Sequence, residues 1–401
     1  MKKKVLSIFL ALMLCLSLLP TAALAEEAGT AGAGDTLAAE QGEGNTVAGQ
    51  GEDSTGTGQD EDSTVTGQDE DSTVTGQGEG NVLSEQSVSA AAFNSTAETH
   101  SHENGTVVFA QKLSQSEGTL QIDGKTWEKN TSDDTYELPA GKYYLETNLT
   151  LDAGITVNGV VTLCLNGNSI TCTTAHAVIS VHPGTTFTLT DCEGTGTITP
   201  SAGQLGSGVS VVGGTFHMEG GSITGNSAGL SGGGVWMLDG KFNMRGGSII
   251  GNTAPSYGGG VWMGGGEFNM SGGSITGNTT TGNTTTGNGG VYVYGGTFNV
   301  SGGVKISGNK NSVGSNSNVY LPNGKTISVI GALSGAEICV TTATKPGESA
   351  PVEIAKGDGD HTVPPDDAKV FFADDLENYS TKLDLDKGVV QLCTGETQMV
   401  H

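Results

Sequence analysis

Residues 214–240 read GTFHMEGGSITGNSAGLSGGGVWMLDG, residues 241–265 read KFNMRGGSIIGNTAPSYGGGVWMGG, and residues 267–278 read EFNMSGGSITGN. A fourth copy, GTFNVSGGVKISGN, occupies 296–309. Phe216, Phe242, Phe268 and Phe298 are 26, 26 and 30 residues apart, and Val209, Val235, Val261, Val291 and Val319 keep step at 26, 26, 30 and 28. The longer spacings follow an insertion, TTTGNTTTGN, at 279–288. Self-similarity at a fixed period of this size is the mark of a repeat architecture. Each unit holds three short apolar segments: Val-x-Met or Val-x-Val, then Phe-x-Met, then Ser-Ile. In the first two, apolar residues sit at i and i+2, so they share one face of a strand. Strands this short cannot bury a core alone. Stacked in register, Val lies on Val, Phe on Phe and Met on Met, and neighbouring units create the core.

Three strands per unit fit one triangular turn. The predicted fold is all-β, a right-handed parallel β-helix of about seven coils over 155–331, with fainter copies upstream in VTLCLNG at 161–167 and VISVHPGTTFTLTDC at 178–192. Gly-Gly supplies the bends, where a Cβ would clash. Asn226, Asn252, Asn278 and Asn309 each follow a glycine. They are read as a structural ladder, because Asn tolerates a left-handed backbone and can bond to its stacked copy. A competing arrangement has Met237 to Phe242 as an antiparallel hairpin, since Asp239-Gly240 suits a type I′ turn.

The flanks differ in composition. Lys2, Lys3 and Lys4, an apolar run from Val5 to Leu19, and Ala23-Leu24-Ala25 predict a signal peptide over 1–25. That run is too short for a permanent membrane span. Leu14 precedes Cys15, which does not suit a lipid-anchored start. Residues 26–105 read as a disordered acidic arm, with DEDSTVTGQ at both 60–68 and 69–77 and no Lys or Arg. Such a unit has too little apolar surface to offset its chain entropy. Residues 106–154 are expected to form an N-terminal cap with first strands, including YELPAGKYYLETNLTL at 136–151, and 332–401 a C-terminal β cap.

Glycine accounts for 66 of 401 residues, without the period of collagen. The net charge is −26 and no basic stripe exists, which excludes a nucleic-acid role. The chain is expected to be extracellular, secreted or associated with the cell surface, without a recognisable anchor and without membrane insertion after leader cleavage.

The units FNMSGGSITGN and GGGVWM resemble right-handed parallel β-helix repeats of secreted and surface-displayed proteins of Gram-positive gut bacteria. LPAGKYYLETNLTL, VTLCLNGNSIT and FTLTDCEGTGTIT look like the opening coils of that group. AKVFFADDLENYSTKLDLDKGVVQL resembles its closing strands. The likeness covers about 136–392 and extends to polymorphic adhesin repeats. The group carries a histidine where Asn168 stands. The resemblance implies the fold strongly and the activity weakly.

Parallel β-helices of the pectin-lyase-like kind include lyases and hydrolases, so catalytic groups must be sought. A glycoside hydrolase needs two carboxylates a few ångströms apart. The regular coils offer Glu219, Asp239 and Glu267, none stacked on another acid. Asp-Asp pairs occur at 133–134, 366–367 and 374–375, outside those coils. Arg245 is the sole arginine and stands beside no acid cluster of the kind a calcium-dependent lyase needs. No Ser-His-Asp set can be argued from the histidines. Neither catalytic residues, metal ligands nor cofactors are therefore expected. The five cysteines of the mature chain, Cys164, Cys172, Cys192, Cys339 and Cys393, read as small buried hydrophobes.

The remaining signal is aromatic. Trp236, Trp262, Tyr292 and Tyr320 sit at the middle of the Val-x-Met strands, pointing opposite to the core. Stacked turns would align them as an outward stripe, a ligand-binding surface for glycans or proteins. The plainer reading is self-stacking that stiffens the sheet. The outward Asn243, Asn269 and Asn299 column, shared with His217, reads as simple solvation. The expected function is non-catalytic adhesion or ligand contact with host or bacterial glycans or surface proteins. The alternatives are a polysaccharide lyase or glycoside hydrolase and a purely structural surface protein.

Overall fold

The computed structural model describes residues 100–101, 108–200, 203–282, 287–359 and 362–395. The expected signal peptide and the acidic arm before His100 lie outside these residues. Within 26–105, His100–Ser101 forms a short strand antiparallel to Val108–Phe109.

The repeat builds a parallel β-solenoid with three faces. The first face stacks the strands Tyr136–Leu138, Ile155–Val157, Ile179–Val181, 209–211, 235–237, Val261–Met263, Val291–Val293 and Val319–Leu321. The second stacks the Phe-x-Met segments, and Phe187, Phe216, Phe242, Phe268 and Phe298 occupy one register. The third runs from Leu149–Leu151 through Ser222–Thr224, Ser248–Ile250 and Ser274–Thr276 to 337–338. The solenoid completes about eight turns, one more than the repeats alone suggested. The extra turn comes from the flanks. Leu149–Leu151, in the stretch read as cap and first strands, alternates buried, exposed, buried and pairs with Ser169–Cys172.

The core follows from the alternation. Val235, Met237, Phe242, Met244 and Ile249 are fully buried, and so are their copies one turn on, Val261, Met263, Phe268 and Ile275, with Met270 almost so. The phenyl rings form a continuous pile with centroids 5.6, 4.9, 4.5 and 4.8 Å apart from Phe187 to Phe298. Each such ring pair contributes roughly 0.5–1.5 kcal/mol beyond its buried area.

The hairpin alternative at Met237–Phe242 is not what forms. Val235–Met244 is one ten-residue strand, paired in parallel with Val209–Met218 through register shifts near Val212. Gly240, at φ 99°, lets the chain turn the corner between two faces rather than reverse. Both ends are covered by antiparallel structure. Gln111–Ser116 and Thr119–Ile122 close the first, and Val352–Gly357, Tyr379–Asp384 and Val389–Thr394 close the last. Covering the end strands removes open pairing edges.

Candidate functional site

The Val-x-Met strands set the geometry of the outward stripe. Val235 and Met237 point into the core, so Trp236 between them points out and is half-buried, and Val261-Trp262-Met263, Val291-Tyr292-Val293 and Val319-Tyr320-Leu321 repeat the pattern. Parallel pairing places Trp236 beside Trp262, Trp262 beside Tyr292, and Tyr292 beside Tyr320.

The rings do more than line up. Trp236 and Trp262 stack at 5.6 Å with planes 10° apart, and Tyr292 and Tyr320 stack at 5.1 Å with planes 7° apart. Tyr294 joins the two pairs, stacked 6.2 Å from Trp262 and 6.5 Å from Tyr292. Tyr257, from the preceding bend, packs 4.5 Å from Tyr292. The result is one ridge of six rings. Tyr294 is its most open member at 64 % exposure. The Trp262 indole folds over Gly264, where a Cβ would come within 2.5 Å of the ring. Burial among the other rings pushes the Tyr292 phenol up to about 12 and that of Tyr320 upward as well. Both phenols therefore stay protonated and able to donate at neutral pH.

Tyr257 and Tyr294 were absent from the sequence-derived stripe. Tyr294 follows its strand, where the earlier copies carry Leu238 and Gly264. Tyr257 shares a register with Ser231 and Asn288. Neither belongs to a repeated aromatic column, so only proximity reveals them.

Asn226, Asn252, Asn278 and Asn309 are fully buried. Each donates from its backbone N–H and side-chain Nδ2 to the Oδ1 of the next, at 2.8–2.9 Å through Asn278 to Asn309. The left-handed step expected of the asparagine belongs to the glycine before it, Gly251 having φ 65°. Asn309 donates in turn to Asn318, which the repeat pattern did not include.

The outward Asn243, Asn269 and Asn299 column also differs from simple solvation. Asn269 Nδ2 donates to Asn243 Oδ1 at 2.9 Å and Asn299 Nδ2 to Asn269 Oδ1 at 2.7 Å. Asn243 reaches His217 Nδ1 at 3.4 Å. Desolvation, then the Arg245 charge, hold the His217 imidazole below its usual value.

The acids are engaged in structure. Glu219 pairs with Arg245 at 2.5 Å and Glu267 with Lys241 at 2.9 Å, each across one turn. Asp367 accepts from Leu333 N–H, Asp366 pairs with Lys369, and Asp374 accepts from Asn318 and Thr341.

One cluster was not expected from spacing. His100, Cys164 and Cys192 lie in three separate stretches of sequence, yet their ligand atoms converge. Burial pushes the Cys164 thiol up to about 12 and raises that of Cys192. His102, His361 and His401 lie outside the described residues.

Compared with family models, curated proteins and solved structures, the chain matches none. Among the described residues no helix is long and apolar enough to cross a membrane.

Proposed function

We propose that this chain is a secreted or cell-surface solenoid that makes non-catalytic adhesive contact with glycans or surface proteins through its aromatic ridge. The observation that carries the reading is the run of six neighbouring rings, Trp236, Trp262, Tyr294, Tyr292, Tyr257 and Tyr320, along one side of a rigid scaffold. Aromatic side chains supply large contact area at low entropic cost and present a polar handle. Sugar rings offer C–H faces to such surfaces, and the tyrosine hydroxyls offer hydrogen bonds. Rings stacked on one another show mainly their edges, so Tyr294, the most open ring, is the first contact for a ligand.

The lysine-rich start and apolar run of the N-terminus support export. The ordered succession of repeat units supports kinship with adhesin-like repeat proteins. The structural engagement of Glu219, Glu267, Asp366, Asp367 and Asp374 favours binding over hydrolysis.

The test is a glycan and surface-protein array probed with the full chain and with Trp236→Ala/Trp262→Ala and Tyr294→Ala. Binding that weakens at least tenfold in both variants supports the ridge. Equal binding by all three proteins assigns the rings to stiffening the sheet. Product release from a polysaccharide panel replaces adhesion with catalysis.

A further inference from the structure

We propose that His100 Nε2, Cys164 Sγ and Cys192 Sγ are three corners of a zinc site that clasps the segment before the first coil onto the opening turns. The two sulfurs are 3.6 Å apart, and the imidazole nitrogen lies 3.4 Å from Cys164 Sγ and 3.2 Å from Cys192 Sγ. Zinc sits about 2.3 Å from thiolate sulfur and about 2.0–2.1 Å from imidazole nitrogen, which in a tetrahedron gives edges of ~3.8 Å between sulfurs and ~3.6 Å from sulfur to nitrogen. The observed triangle is within a few tenths of an ångström of that, and two thiolates with one imidazole are a donor set suited to zinc.

The scaffold presents these atoms by ordinary means. Cys164 is the buried last residue of the strand Val160–Cys164, and its register partner one turn later is Thr190. Two residues beyond Thr190, Cys192 sits in a bend held by Asp191, which accepts from Gly167 N–H at 2.8 Å and Gly196 N–H at 2.7 Å. The His100 ring stacks on Tyr144 at 5.3 Å and leans on Phe109 at 5.8 Å, so packing fixes its direction. Asn166 Oδ1 and Glu193 Oε1 lie 3.5 and 4.0 Å from Cys192 Sγ, on the cysteine's own side of the site. Zinc binding displaces both thiol protons to solvent and leaves a dithiolate–imidazole shell. His100 lies 64 residues before Cys164, so the metal would close a long loop and tie down the start of the fold.

The experiment uses the full chain, reduced and stripped of metal, titrated with zinc alone and, separately, with cobalt(II) as an optical probe. The expected result is one zinc per chain and a thiolate-to-cobalt charge-transfer band. Affinity should fall at least tenfold in Cys192→Ser and in His100→Ala, and stay within twofold in Cys393→Ser, whose thiol lies elsewhere. Cys192 is exposed and outside the strands, so its substitution should leave the fold intact; His100→Ala provides an independent reading if it does not. Three outcomes overturn the proposal: no equimolar uptake by the reduced chain, equal uptake by the two ligand variants, or a Cys164–Cys192 disulfide in protein isolated without reductant.

Discussion

Asp374 accepts hydrogen bonds from both the backbone N–H and the side-chain amide of Asn318, so a carboxylate terminates the buried asparagine ladder. Every link upstream has the same polarity, each asparagine donating two N–H groups to the carbonyl of the next. An acceptor-only group is what the last link requires. Thr341 adds a third donor at 2.6 Å.

Asp374→Ala should cost about 2–5 kcal/mol, because the Asn318 donors would be left buried and unmet. Asp374→Asn should cost less and should also change the pH profile. Burial raises the Asp374 carboxyl above its ordinary value, in spite of the hydrogen bonds that pull it down. A raised acid stabilises the fold fully below its unfolded pKa, about 4, and that contribution is lost as pH rises through the folded value. Urea titrations at a series of pH values should show this decline in the native chain and not in Asp374→Asn.

Asn252→Ala in mid-ladder should destabilise by roughly 2–4 kcal/mol. It removes the acceptor for two donors of Asn226 and the side-chain Nδ2 donor to Asn278 Oδ1 and the Ile223 carbonyl, while the backbone N–H to Asn278 remains. Asn252→Asp should be worse, since its second oxygen would face the Ile223 and Asn278 oxygens. Denaturant unfolding of the two variants checks the order, and equal stabilities would contradict it.

Phe242→Ala should cost about 3–5 kcal/mol and Phe242→Leu distinctly less. Phe242 is fully buried and stacked 4.9 Å from Phe216 and 4.5 Å from Phe268. Thermal melts of both variants measure the difference.

Gly234→Ala and Gly229→Ala form a matched pair. A Cβ on Gly234 would meet Ile249 Cγ2 at 2.5 Å, the Gly260 carbonyl at 2.7 Å and Asn252 Nδ2 at 3.0 Å, whereas one on Gly229 meets nothing within 4 Å. The first substitution should destabilise by about 1–3 kcal/mol through overpacking. The second should be neutral or slightly stabilising, because it only restricts the unfolded chain.

Glu219→Gln should change stability by less than about 1 kcal/mol, since its partner Arg245 is about half exposed and exposed ion pairs contribute little. Unfolding in low and high salt should show the small native advantage shrinking as salt screens it.

The near-constant period of about 26 residues makes the Phe, Val and Ile columns legible in the sequence, because like units stack in like register. The stripe of Trp236, Trp262, Tyr292 and Tyr320 followed from the same alternation. What escaped the sequence lies where the period breaks. Tyr257 and Tyr294 occupy positions with no aromatic copy in the next turn. Asn318 follows Asn309 by nine residues rather than a full turn, and Asp374 arrives from the C-terminal cap, 56 residues beyond Asn318.

By itself the sequence determined that this chain coils: its apolar residues recur at i and i+2 within strands and at about 26 residues between them, and only stacked parallel turns bury both sets. Beyond the repeated asparagine ladder, the tertiary structure alone decided which polar atoms meet. His100, Cys164 and Cys192, or Asn318 and Asp374, come from unlike, non-repeating segments, and their encounters depend on how the bends and caps fold back over the coils. A hydrogen bond or a metal edge is fixed to within tenths of an ångström, whereas a hydrophobic column needs only the right kind of residue at the right interval.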